Sequence, residues 1–335
     1  MTPQPLLSIA IPSYGRSREL LHSLSIFADQ IAAQPPGEIE LHVVDDASPD
    51  DTGAIMQNYI SRFPFMHYHR HPENRGLERN LIDCTDSCRG EYLWIFGDDD
   101  FLERTDSLSV ILHQLRKREF DFYILNRTRR NADLSRILSN NWMQMDTSID
   151  IRFESLKAFC LRWGLISIIG FISINIFRRD PFARLSPSPY AGTMYPQLGM
   201  MMETFHDKPC LLLTQPLVCH RTQTAQEKKN SWGRKTSERD FFGDDNSRNV
   251  THFGIRWIRL LRELVHRGAL EWRDISFIPE STVIDGYLVD FLLDNMELAL
   301  VLGHRETISN WPIVDDFLSR VNLVGERRNR WLAMR

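Results

Sequence analysis

Several features that would assign a chain quickly are missing from these 335 residues. The five cysteines (Cys84, Cys88, Cys160, Cys210 and Cys219) are odd in number and make no CxxC pair. That excludes a zinc ribbon or a thioredoxin-like redox site and fits buried thiols in a reducing compartment. An excess of positive charge is absent too: the formal net charge is -4, so no global field gathers nucleic acid and no nucleic-acid partner is expected. The most apolar run, Leu165 to Phe177, is interrupted by Ser167, Gly170, Ser173 and Asn175, far short of the ~20 apolar residues a spanning helix needs. The first twenty residues carry Pro3, Pro5 and Pro12 without the charged start, apolar middle and cleavage site of a signal peptide. A soluble, cytoplasmic protein is expected, at most peripheral at the inner face of the plasma membrane. There is no GxGxxG after the first apolar run, which argues against a dinucleotide-binding dehydrogenase, and no internal repeat or low-complexity tract.

What the chain does have is alternation. Leu6 to Ile11 reads as a strand ending in Pro12, Ser13, Tyr14 and Gly15, and the apolar period Leu20, Leu21, Leu24, Phe27, Ile31 as a helix. Ile39 to Val44 is a second strand running into Asp45 and Asp46, with a helix through Tyr59 after it. Phe65 to His69, a helix from Leu77 to Cys88, and Tyr92 to Phe96 continue the series. Strands alternating with helices imply right-handed crossovers, a largely parallel sheet, and ligands bound at the carboxyl ends of its strands. Further on, Phe120 to Asn126 and Leu211 to Cys219 read as strands, Leu165 to Phe177 as one or two core strands, Phe153 to Trp163 and Tyr195 to Phe205 as helices, and Arg127 to Asp150 as irregular.

The polar residues gather at those strand ends. Asp98, Asp99 and Asp100 follow a buried strand directly, and carboxylates so close repel unless something positive sits among them. A hard divalent cation suits them, since Mg²⁺ takes one or two carboxylates and completes its shell with water and phosphate oxygens. An isolated acidic triplet is as well explained by a solvated turn, so the other strand ends must decide. Pro12, Ser13, Tyr14 and Arg16 offer an aromatic face and a cation. Asp46, with Asp45 beside it, can accept from a base edge. Asn74, Arg75, Gly76, Arg79 and Asn80 form a cationic cluster near a helix start, where anions are favoured.

In order and spacing, the segments Leu7 to Arg16, Val43 to Thr52, Asn74 to Asn80 and Gly90 to Asp100 resemble glycosyltransferase family 2. The resemblance implies a GT-A fold: an α/β domain with a mostly parallel central sheet and a C-terminal helical extension. It divides the chain into a catalytic domain over 1–222 (donor half 6–125, acceptor side 126–222), a loop or lid over 223–252 with Trp232, and a helical region over 253–335. It further implies an inverting glycosyltransferase of surface polysaccharide synthesis, with a nucleoside diphosphate sugar donor, a saccharide or lipid-linked saccharide acceptor, and Mn²⁺ or Mg²⁺. Pro12, Tyr14, Arg16, Asp45, Asp46, Arg79 and Asp98 would meet the donor, and Asp99 and Asp100 the metal, with His220 as a further ligand. Shorter strings, Trp94 to Asp100, Tyr195 to Met202 and Pro216 to Arg221, are similar to O-antigen abequosyltransferase-like enzymes, which transfer a dideoxyhexose.

The chain departs from the family pattern at Gly97, where many members carry an acid, and at Tyr195-Pro-Gln197, where the family often carries an acidic pair. Glu203 is therefore the candidate base, deprotonating the acceptor hydroxyl. A catalytically degenerate sugar-binding protein on the same fold is the alternative, and a nucleotidyltransferase is disfavoured because no glycine-rich basic loop follows the first strand. Residues 254–267 pattern as an amphipathic helix with Arg256, Arg259, Arg262 and Arg267 off the apolar face, suited either to an anionic membrane surface or to packing on the domain. Arg327, Arg328, Arg330 and Arg335 add a basic tail.

Overall fold

A computed structural model describes residues 4–165, 169–193, 195–224, 246–279, 287–290, 293–294, 297, 311–321 and 323–334. Strand β1 (Leu7–Ser13) is buried along its whole length, and helix α1 (Ser17–Ala32) lays Leu20, Leu24, Phe27 and Ile31 against the sheet. Strand β2 (Ile39–Asp45), also wholly buried, pairs in parallel with β1 and brings Ser13 level with Asp45. Helix α2 (Thr52–Arg62) leads to β3 (Met66–Arg70), and helix α3 (Leu77–Asp83) to β4 (Tyr92–Ile95). Strands buried on both faces are the signature of a parallel sheet covered by helices. Phe27 meets Phe96 edge-on at 5.0 Å and Trp94 at 6.1 Å, and each such buried ring contributes roughly 2 kcal/mol of hydrophobic stabilisation.

The second half doubles back. After β5 (Phe101–Leu102) and α4 (Ser107–Lys117) come β6 (Phe122–Arg130), β7 (Ile137–Ser139), β8 (Ile151–Phe153) and α5 (Leu156–Trp163). Then follow β9 (Asn175–Arg178), α6 (Arg179–Ala183), α7 (Pro196–Phe205) and β10 (Cys210–Arg221). The sheet order is β3-β2-β1-β4-β9-β6-β10-β5, with β7 on β6 and β8 on β10. The expected parallel sheet is realised in β3-β2-β1-β4 and again between β6 and β10, while β9 runs antiparallel between β4 and β6.

Among the described residues of the apolar run 165–177, the last three, from Asn175 on, pair as a strand, which continues to Arg178. Ahead of it a 3-10 turn, Ile172–Ile174, is held by Asn175, whose Nδ2 donates to the carbonyls of Ile169 and Phe171 at 2.9 Å each. The stretch from Arg127, expected to be irregular, instead extends β6 to Arg130 and adds β7.

Four C-terminal helices are described: α8 (Asn246–His266), α9 (Trp272–Ile275), α10 (Trp311–Arg320) and α11 (Gly325–Met334). The expected lid falls largely outside the described residues, Trp232 included, and positions 246–252 open α8. The apolar side of α8 is spent inside the chain: Trp257, Ile258, Leu260, Leu261 and Leu264 are buried where the helix meets α7 and α10. The basic tail is likewise engaged, Arg327 on Asp290 and Arg330 on Asp294 and Glu297, with Trp331 buried. Packing on the domain therefore accounts for the amphipathic pattern that also suited a membrane surface. No described helix is long and apolar enough to cross a membrane.

Candidate active site

The carboxyl ends of β1, β2 and β4 open on a cavity of about 450 Å³. Pro12, Ser13, Tyr14 and Arg16 line it from β1, Asp46 from β2, Asn74 and Asn80 from the approach to α3 and from α3 itself, and Asp98, Asp99 and Asp100 from β4. The second half adds Arg129, Phe171, Tyr195, Gln197, His220 and Gln223. Hydrogen bonds between strand-end loops fix the rim. The Gly15 amide donates to Ser48 Oγ at 2.9 Å, and the Arg75 and Gly76 amides donate to the two oxygens of Asp46 at 2.6 and 2.8 Å. Gly76 sits at φ +88°, a conformation costly for any residue with a Cβ. Ala47, beside Asp46, takes φ +61° without being glycine, local strain of the kind that gathers at functional turns.

The three aspartates are buried and each is held differently. Asp98 accepts from Ser13 Oγ and from Arg16 Nη1, both at 2.8 Å, and the same Arg16 nitrogen lies 3.3 Å from Asp99. Gln223 Nε2 donates to Asp99. Asp100 accepts from Ser173 Oγ and, at 3.3 Å, from the Arg221 amide. Arg16 is thus the positive group that close carboxylates require. Burial acts to lower its pKa, but the charges of Asp99, Asp98 and Asp100 outweigh it and keep the guanidinium protonated. Arg16 does not satisfy the whole cluster: burial pushes the Asp98 carboxyl up against the pull of Arg16, and burial together with the Asp99 charge pushes Asp100 far above the usual carboxylate range. Behind them Arg127 is buried, its guanidinium 3.8 Å from the Phe171 ring centre, and desolvation pulls its pKa down to about 9.

Residues 8–185, more than half of the chain, match the family described as Glycosyl transferase family 2. The chain belongs to that family. It is 29% identical over 236 residues to abequosyltransferase RfbV of Salmonella typhimurium (strain LT2), covering 67% of this chain and 69% of that protein. It is 30% identical over 141 residues to the Escherichia coli chondroitin synthase, covering 41% of this chain but only 20% of that protein. Among solved structures, S. aureus TarS 1-349 in complex with UDP-GlcNAc superposes with a TM-score of 0.58 at 13% identity, over 88% of this chain and 81% of that one. That likeness concerns the fold, which is GT-A. The chain is a glycosyltransferase.

Within this family-2 site the expected residues divide. Pro12, Tyr14, Arg16, Asp46, Asp98, Asp99, Asp100 and His220 line one cavity, the His220 ring lying 4.7 Å from that of Phe171. Asp45 does not line it. Successive strand residues face opposite ways, and Asp45 is turned into the scaffold, accepting from the Ser48 amide, Tyr68 Oη and Arg70 Nη1 at 2.7, 2.6 and 2.9 Å. Arg79 is also outside it, drawn along its own helix to Asp83 one turn on at 2.7 Å. Glu203 is not a cavity residue either: it accepts from Tyr190 Oη and from Arg267 Nη1, both at 2.9 Å. Gly97, where many relatives carry an acid, has a local reason: a Cβ there would lie 2.9 Å from Asp100 Oδ2 and 3.2 Å from Ser173 Oγ. The glycine leaves room for Asp100 to fold back onto Ser173.

Ser173, Arg129, Phe171 and Gln223 escaped the sequence reading. Three of them stand in or beside stretches whose strand pattern was misread, and Gln223 sits just past the His220 and Arg221 pair that did attract notice.

The donor set fits a hard divalent ion. Asp99 and Asp100 present only oxygens, and the ionised form of Asp100 is disfavoured by burial and the Asp99 charge, a cost that a nearby cation would remove.

Proposed function

We propose that the chain transfers a hexose of deoxy or dideoxy type from a nucleoside diphosphate donor to a saccharide or lipid-linked saccharide, with inversion, in surface polysaccharide synthesis. The observation that carries this reading is the convergence of four separate segments on one cavity, lined by both cations and carboxylates. The 29% identity to an abequosyltransferase supports the choice of sugar class, and the family resemblance supports inversion.

In this reading the Tyr14 ring flanks the base, and Asp46 keeps the Asn74 to Gly76 loop against that end through the two amides it accepts from. Arg16 and Arg129 receive the diphosphate, for which guanidinium groups are suited by charge and geometry. Asp99 and Asp100, with His220 as a nitrogen donor, hold Mn²⁺ or Mg²⁺. Such an ion neutralises charge developing on a departing diphosphate. Ser13 and Arg16 keep Asp98 oriented by two 2.8 Å hydrogen bonds, so its carboxylate is ready to meet the donor without reorganisation.

A thermal-shift panel of UDP-, GDP-, dTDP- and CDP-sugars with and without Mn²⁺ tests the reading. One nucleotide class should stabilise the protein, more so with Mn²⁺. Asp99→Asn should lose the Mn²⁺-dependent part and lower turnover by about 100-fold or more. No shift with any donor, or full turnover in that variant, would refute the proposal.

A further inference from the structure

Away from the cavity, three side chains with metal-ligating atoms meet on one face of the sheet. Glu40 and His42 both lie on β2, and residues two apart along a strand point to the same side. His67 on β3 is the register partner of His42. One ligand atom from each of Glu40, His42 and His67 lies within 4.8 Å of the other two. None of the three lines the cavity described above.

Two further observations point to an ion. His42 is 7% exposed, and its Nε2 has no hydrogen-bond partner among the described residues, although it stands 3.5 Å from Glu40 Oε1. Two donors bound at ~2.1 Å to one tetrahedral ion lie about 3.4 Å apart, so this spacing suits a shared metal better than a hydrogen bond. The Glu40 carboxylate, for its part, is oriented as a ligand's would be. Its Oε1 accepts from Ser8 Oγ at 2.6 Å and from the Arg89 amide at 2.5 Å, and bonds of this kind hold ligating carboxylates in place. The Arg89 guanidinium reaches Oε2 at 3.1 and 3.3 Å, but that side chain keeps 62% of its surface and is easily displaced. Access is from the side of His67, the least buried of the three, on the strand that ends the sheet. Its ring stacks on that of His42 at 4.5 Å between centres, so a tilt of the His67 ring is the adjustment that closes the set.

The donor types choose the metal. Imidazole suits zinc and neighbouring first-row ions, whereas Mg²⁺ prefers oxygen alone. Three such ligands leave a fourth position for water. We propose that Glu40, His42 and His67 form a zinc-type site, separate from the acidic cluster, that clamps the edge strand β3 to β2. An ion held there binds only the folded chain, because the fold alone brings β2 and β3 together, and so it stabilises the protein.

The test uses the full chain stripped with EDTA and titrated with ZnCl₂ in excess MgCl₂, which competes at oxygen-only sites. Wild type should take up Zn²⁺ with a rise in melting temperature, and CoCl₂ in its place should give the strong visible absorption of tetrahedral coordination. His67→Gln should bind Zn²⁺ about 100-fold more weakly and lose both the rise and the cobalt spectrum. The spectrum is read on folded protein, so a change in the metal-free stability of the variant does not affect the outcome. Asp99→Asn, in the acidic cluster, should keep both signals. Equal Zn²⁺ affinity and spectra in wild type and His67→Gln, loss of both signals in Asp99→Asn, or wild type that gains no stability from Zn²⁺ overturns the assignment.

Discussion

Arg16→Gln is the most informative single perturbation of the acidic cluster. Arg16 Nη1 stands 2.8 Å from Asp98 and 3.3 Å from Asp99. At an effective dielectric of about 20 each contact is worth roughly 5 to 6 kcal/mol before any cost is counted. Desolvating the guanidinium takes most of that back, and removing one member of a buried pair costs a net ~3 to 5 kcal/mol, chiefly because the other charge is left behind. The Arg16 side chain keeps 17% of its surface, so water can enter the gap, and the lower figure of about 3 kcal/mol is expected. Urea unfolding with and without Mn²⁺ reads it. Because the divalent ion would take over the role of the missing guanidinium, Mn²⁺ should restore more stability to the variant than it adds to wild type. A loss below about 1 kcal/mol, or an equal Mn²⁺ effect in both proteins, would show that Arg16 is not the counter-charge of the cluster.

Three further predictions follow from contacts away from the cluster. Burial would raise the Glu40 pKa, but His42, 3.5 Å away, and hydrogen bonds from Ser8 Oγ and the Arg89 amide outweigh it and hold the carboxyl well below its ordinary 4.5. A depressed native pKa stabilises above the unfolded value and is lost as pH falls. Glu40→Gln should therefore cost about 2 kcal/mol at pH 7, with the gap to wild type closing below pH 4.5 as wild type itself weakens; a gap constant down to pH 3 would contradict this. Gly199→Ala would put a Cβ 2.2 Å from the Tyr190 ring, and a loss of about 2 kcal/mol is expected by thermal unfolding, whereas a neutral outcome would mean that the ring moves freely. Glu203→Gln should keep turnover within about twofold of wild type, since the residue lies outside the cavity, and cost at most about 1 kcal/mol through its exposed partner Arg267; a hundredfold loss of turnover would restore it as the base.

The donor half of the fold was legible because its strands are short apolar runs bounded by turn residues, a pattern that β1, β2 and β4 obey along their buried lengths. The adjacent acids at the end of β2 were not separable by sequence alone, since either register puts one of them inward; the hydrogen bonds of Tyr68 and Arg70 to Asp45 decide which. Arg79 was read as a donor-side cation without regard to Asp83, which lies four residues on, the spacing at which helical side chains meet. The run 165–177, read as one or two core strands, holds one of them at its end, and the turn ahead of it was missed for a different reason. Apolar periodicity cannot tell a buried strand from a buried turn, and here a single side chain, Asn175, bends the backbone by capturing two carbonyls. Gln197 was visible only as a missing acid, and its place in the cavity wall is a property of packing rather than of sequence.

The antiparallel seam at β9 has a consequence for how the enzyme is made. Parallel pairing of β1 with β2, and then with β4, needs little more than the first ninety-five residues to have left the ribosome, and domains begin to organise in that order. The acidic strand end at 98–100 would by then be exposed but unfinished, because Ser173 and the Arg221 amide, which hold Asp100, belong to chain not yet synthesised. The finished geometry of the acidic cluster should thus be among the last features a growing chain acquires, long after β1, β2 and β4 have paired.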